Sequence, residues 1–231
     1  MARKPRFAPG GLAYHVMNRT WGMIELFQDA GDYEAFERVL AQAVAREETM
    51  RVCAYCLMPN HFHLVIWPKK DGQLSRFMQW LTMTHAQRWH AHRHSGGRGH
   101  LYQSRFKSFP IQEDRHFLSV CRYVERNALR ANLVPRAEEW RFSSLWVRGR
   151  NSGPMKDLLA IWPVPLPRDW IRRVNEPQDE KELASLRFSR DRGRPYGEAE
   201  WARITASRLG LESSLGAVGR PKKAKGGKDA V

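Results

Sequence analysis

Apolar positions change period in a fixed order along the first 150 residues. Residues 11–18, GLAYHVMN, alternate loosely between Gly-Gly and Arg-Thr, which predicts a strand. In 29–48, Phe36, Val39, Leu40 and Val44 fall at helical spacing, with Asp29 or Asp32 able to cap the start. Residues 50–58 and 61–67 predict two strands turned by Pro59-Asn60. A long helix follows over 72–93, with Leu74, Phe77, Met78, Leu81 and Ala86 on its buried face and Gly96-Gly97 beyond its end. Residues 105–112 read as an edge strand, because Pro110 has no N–H for a ladder. The last long helix spans 113–134, with Glu113 and Asp114 in its first turn. This order, β-α-β-β-α-β-α, predicts an α+β, ferredoxin-like (split βαβ) antiparallel sheet with helices on one face.

The texture changes after Trp146. RGRNSG reads as a linker, WPVPLPRDW carries three prolines, and short helical stretches follow at 179–189 and 198–210. The pattern divides the chain into 1–150 and a small helical basic extension, 151–231, whose GRPKKAKGGK end reads as a disordered tail.

Charge sharpens the picture. The 231 residues carry a formal net charge of +15, which favours a polyanionic partner, nucleic acid before membrane surface. Nine tryptophans sit among the basic residues and suit either base stacking or core filling. There is no run of 18 apolar residues and no apolar stretch behind the basic N-terminus, so neither a membrane span nor a secretory signal is expected. A cytoplasmic protein follows. Three cysteines do not make a disulfide framework, and the absence of a P-loop argues against a nucleotide cofactor.

The chemistry concentrates in MPNHFHLVIW, residues 58–67. Strand residues two apart face the same way, so His61 and His63 project side by side while Phe62, Leu64 and Ile66 face the other side. Two neutral imidazoles can ligate one divalent cation and leave its coordination open, as a catalytic metal requires. Two exposed hairpin histidines would have the same spacing. Cys53-x-x-Cys56 just upstream adds a third possibility, structural zinc. On a regular strand, however, those two cysteines face opposite sides unless a bulge intervenes. In CRYVERNALRANLV, Tyr123 and Asn127 stack one helical turn apart, offering a phenolic and an amide oxygen. A packed tyrosine above a surface asparagine fits that spacing equally.

Met58-Pro59-Asn60-His61-Phe62-His63 resembles the histidine–hydrophobic–histidine signature of the HUH single-tyrosine transposases. RYVERNALRANLV resembles the tyrosine helix of their REP-associated branch, and the likeness extends through YHVMNRTW, GHLYQSRFKSF and WRFSSL, covering about 1–147. The resemblance implies cleavage and rejoining of single-stranded DNA at hairpins. His61, His63 and Asn127 would hold Mg²⁺ or Mn²⁺, and Tyr123 would be the nucleophile forming a 5′-phosphotyrosine. A domesticated relative that binds hairpins without cutting is the alternative. Ala128 and Asn132 stand where the family commonly has Pro and Gly, which puts the local helix end in doubt and not the nucleophile.

Arg105, Lys107, Arg115, Arg122, Arg126 and Arg130 cluster in sequence around these motifs as candidate phosphate contacts. Arg194 and Arg220 lie in two Gly-Arg-Pro triplets that resemble the minor-groove core of AT-hooks. The family includes dimers that exchange the tyrosine helix. The REP-associated forms favour a monomer here.

Overall fold

The computed structural model describes residues 7–22, 24–96, 99–150 and 155–216. Its order is β1 (Ala13–Arg19), α1 (Ala30–Arg46), β2 (Arg51–Met58), β3 (His61–Trp67), α2 (Gln73–His92), β4 (Lys107–Ile111), α3 (Arg115–Glu125), α4 (Asn127–Arg130), α5 (Ser144–Arg150), α6 (Trp170–Asn175), α7 (Glu180–Arg192) and α8 (Ala199–Leu209). The four strands lie in the order β2-β3-β1-β4, and every neighbouring pair is antiparallel. Pro110 sits on edge strand β4 opposite Tyr14, where its missing N–H costs no ladder bond.

Alternation divides each strand between two cores. Tyr14, Val16, Tyr55, Leu57, Phe62, Leu64 and Ile66 pack against Phe36, Val39 and Leu40 of α1 and Leu74, Phe77, Met78 and Leu81 of α2. The opposite face, with Ala13, Cys56, Val65, Phe109 and Ile111, packs against Phe117, Val120 and Val124 of α3. Helices therefore cover both faces, not one as the chain order suggested. With α1 and α2 filling the first face, the apolar stripe of α3 can be buried only on the second.

β2 is irregular between Val52 and Ala54, where one residue is extra relative to β3. The bulge brings Cys53 onto the same face as Cys56, so the two cysteines do not face opposite sides as a regular strand requires. The freed Cys53 carbonyl accepts from Trp162 Nε1 at 2.7 Å and Arg148 Nη2 at 2.8 Å. Burial pushes both thiols up to about 12. They are inert core residues.

The extension, as far as it is described, shares the second core. Trp162, Trp170, Val174, Leu183, Leu186 and Tyr196 pack in the cluster formed by α3 and the sheet. Glu125, fully buried on α3, accepts from Trp170 Nε1 at 2.6 Å and Ser144 Oγ at 2.5 Å, so one carboxyl joins α3, α5 and α6. The extension also reaches the open edge of β4, where Tyr196 N donates to Pro110 O and Gln112 N donates to Tyr196 O. A Cβ on Gly197 would lie 2.5 Å from both Gln112 and Trp201, so only glycine permits this approach. The basic tail lies outside the described residues, and among those no helix is long and apolar enough to cross a membrane.

The helix expected over 113–134 stops at Glu125 and restarts at Asn127. Asn132 then takes the left-handed conformation, φ 55°, that its side chain tolerates in place of glycine. Two short helices, α5 and α6, stand where the sequence pattern indicated none.

Candidate active site

His61 and His63 emerge together on the α3 face, opposite Met58 and Cys56 of β2, with ring centroids 4.9 Å apart and planes nearly perpendicular. Each has its Nδ1 engaged. Asn60 Oδ1 lies 2.7 Å from Nδ1 of His61, and Nε2 of His15 lies 2.9 Å from Nδ1 of His63. Asn60 Oδ1 can only accept, so His61 carries its proton on Nδ1 and keeps a lone pair on Nε2. The same tautomer at His63 follows when its Nδ1–H donates to His15.

All three rings are held neutral. Burial lowers His61 to about 4, helped by Arg130, Arg190 and Arg19. Burial lowers His15 to about 3, helped by Arg190. His63 is pushed well below its ordinary range by burial and by His61, His15 and the same two arginines, Arg130 and Arg190. Neutral imidazoles with free Nε2 atoms are what a divalent cation needs from this side of the site. Among the described residues no three His, Cys, Asp or Glu side chains gather as a metal group, so Cys53 and Cys56 do not join the histidines as zinc ligands.

Tyr123 projects from α3 onto the histidines. Its ring centroid lies 5.7 Å from His63 and 6.1 Å from His15, both edge-on, and the residue is only 2% exposed. Asn127 Nδ2 donates to the Tyr123 and Val124 carbonyls at 3.0 and 3.2 Å, which ties the α3–α4 break together. Asn127 Oδ1 accepts from Arg130, whose guanidinium also lies 4.4 Å over the Tyr123 ring. The amide oxygen is therefore already held, and a metal would have to share it with Arg130 or take it over. On the other side of Tyr123, Arg190 Nη1 donates to the phenolic oxygen at 3.3 Å.

The other arginines have different surroundings. Arg105 is exposed beside a groove of about 1050 Å³ between α2 and residues 99–105. That groove adjoins the histidine end of the sheet: Gln103 N donates to Arg19 O at 3.0 Å, and Arg19 pairs with His61. Trp21, just past β1, is 62% exposed. Lys107 pairs with Asp191 at 3.0 Å, Arg115 with Glu198, and Arg194 lies 5.6 Å over the Phe188 ring. Arg122 and Arg126 reach the end of α6. Arg122 donates to the Glu176 and Pro177 carbonyls, and Arg126 donates to those of Val174 and Asn175. Cations on the carbonyls of a helix C-terminus fasten the extension to α3. Arg220 lies outside the described residues.

Two residues of this constellation carry no sequence signal of their own. His15 is one of three polar residues in the short strand β1, and Arg190 is one of many arginines.

Comparison with known proteins agrees with this architecture. The model of the IS200-like transposase family matches residues 10–127, just over half of the chain. The chain belongs to that family. Among solved structures, a REP-associated tyrosine transposase bound to a REP hairpin is similar over 78% of this chain and all of that one, at 16% identity and a TM-score of 0.50. A putative transposase from Deinococcus radiodurans R1 matches over 54% of this chain and 96% of that one, at 18% identity and a TM-score of 0.38. No curated protein matches.

Proposed function

We propose that this protein cleaves and rejoins single-stranded DNA at hairpin-bearing sequences through a covalent bond to Tyr123. The carrying observation is the packing of Tyr123 against His63 of the neutral His61–His63 pair, with Arg190 at its hydroxyl. Family membership supports the reaction class, and the hairpin in the similar solved structure supports the substrate.

In the forward step the Tyr123 oxygen bonds to phosphorus and the P–O3′ bond breaks. A 5′-phosphotyrosine and a free 3′-hydroxyl result, and the phenolic proton is balanced by the one the 3′-oxygen gains. Attack by another 3′-hydroxyl reverses the step and reseals the strand, so no nucleotide is consumed. His61 and His63, with Asn127 as a third donor, would hold Mg²⁺ or Mn²⁺; nitrogen donors suit Mn²⁺ better. When bound, the ion would draw charge from the scissile phosphate. Arg190, at the phenolic oxygen, would stabilise negative charge as it develops there. Arg105 and Trp21 would meet the strand along the groove, by phosphate contact and base stacking.

Incubation with labelled hairpin single strands and Mg²⁺ or Mn²⁺, followed by a denaturing gel, tests this. A protein–DNA adduct is expected from the native chain and none from Tyr123→Phe. Tight binding with no adduct in either metal would instead establish a hairpin binder that does not cut, the reading favoured by the burial of Tyr123 and the Arg130 bond to Asn127.

A further inference from the structure

We infer that Arg190, from the C-terminal extension, is a catalytic residue of the strand-cleavage reaction. The inference rests on the reading of Tyr123 as the nucleophile. Arg190 is the cation at the reacting atom: its Nη1 lies 3.3 Å from the phenolic oxygen, whereas Arg130 lies over the face of the ring. Its direction is fixed. Nε and Nη2 pair with the two carboxylate oxygens of Asp191 at 3.1 and 2.9 Å, and Asp191 is itself anchored to β4 through Lys107 Nζ at 3.0 Å. The two-point pair uses one edge of the guanidinium and leaves Nη1 to Tyr123.

A donor already aimed at the oxygen needs no reorganisation when charge develops there. As the Tyr123 oxygen bonds to phosphorus and the 3′-oxygen departs with a proton, Arg190 stabilises the negative charge that passes through the phenolic oxygen. In the product that oxygen is an ester bridge. The non-bridging oxygens on the same phosphorus then lie two bonds away, within reach of the same guanidinium. The extension thus completes the active site, in addition to any contact it makes with DNA.

The experiment uses the full chain, a labelled hairpin single strand and Mn²⁺ under single-turnover conditions. At saturating DNA, Arg190→Ala is expected to slow adduct formation about 100-fold, the scale of losing one preorganised donor. Hairpin affinity should change only a few-fold, and the melting temperature should stay near that of the native protein. Millimolar guanidinium should restore part of the rate in Arg190→Ala and none in the native chain, and Arg190→Lys should recover part of it without rescue. Adduct formation at the native rate or faster in Arg190→Ala overturns the inference, because the side chain would then only cover the tyrosine. Loss of rate together with loss of melting temperature, without guanidinium rescue, also overturns it in favour of a structural role. A native chain that forms no adduct overturns the reading of Tyr123, and this inference with it.

Discussion

Nε2 of His15 and Nδ1 of His63 lie 2.9 Å apart, diagonal neighbours on the β1–β3 ladder. Phe109 stacks on His15 at 4.8 Å between centroids, so the imidazole has no freedom to turn away. His15 is the partner that fixes which nitrogen of His63 is free, and its own Nδ1 is buried without a partner. His15→Ala should weaken Mn²⁺ binding by about 10- to 100-fold, the range for losing the group that orients a ligating histidine. Titration of the metal-free protein measures this without any cleavage. Equal affinity in the variant would show that His63 is oriented by packing alone.

Glu125 gives a stability prediction. Burial raises its carboxyl above the ordinary range, against the bonds from Ser144 and Trp170. In the protonated form it can donate to Ser144 Oγ, which then donates to the Tyr55 carbonyl at 3.2 Å while still accepting from Tyr55 N. Glu125→Gln keeps one donor and one acceptor in place and should melt within a few degrees of the native protein. Glu125→Ala strands the Trp170 N–H and opens a cavity, costing about 3 kcal/mol in denaturant unfolding. A similar loss in both variants would mean that the charge, not the bonding pattern, matters.

The sequence made the histidine strand and the tyrosine helix legible for the same reason: both are local. Period two after a Pro-Asn corner puts His61 and His63 on one face, and a helical turn links Tyr123 to Asn127. The facing of Cys53 is not legible locally, because a bulge depends on what catches the freed carbonyl, and Trp162 lies 109 residues away. Arg190 reaches Tyr123 across 67 residues, through packing that no periodicity in α7 announces. Helix α6 was hidden because WPVPLPRDW reads as broken chain, although its last residue, Trp170, starts the helix.

Acid should weaken the packing of α1 on α2. Burial pushes the Asp32 carboxyl up, but the bonds from Arg93 and from the Gln28 backbone N–H outweigh it and hold the group below its ordinary range. A folded-state value lower than the unfolded one stabilises the protein above the ordinary carboxylate value of ~3.9, and this contribution disappears as pH falls through the folded value. Asp32→Asn should therefore cost about 2 kcal/mol at pH 7, the scale of a bond to a charged group. The gap between variant and native protein should narrow below about pH 4. Urea unfolding at a series of pH values reads both, and a gap that persists in acid would locate the loss elsewhere.

The bulge predicts coupling. Either Trp162→Phe or Arg148→Ala leaves the Cys53 carbonyl one donor and should cost about 1 kcal/mol for the lost bond. Together they leave a buried carbonyl bare, so the double variant should lose more than the sum, by about 1 kcal/mol or more. Strict additivity in a double-mutant cycle would mean that solvent reaches the carbonyl once either side chain is gone.

Both margins of the sheet are occupied by later parts of the same chain. On β2, Leu57 N donates to Phe142 O and Ala160 N donates to Val52 O; on β4, Tyr196 takes up Pro110 and Gln112. A sheet whose rims are already claimed offers no template for a second copy to add strands side by side. Self-association by continuation of the sheet would first have to peel these segments away. For a chain with a net charge of +15, crowding along a polyanion would thus not lead to fusion with its neighbours through the sheet.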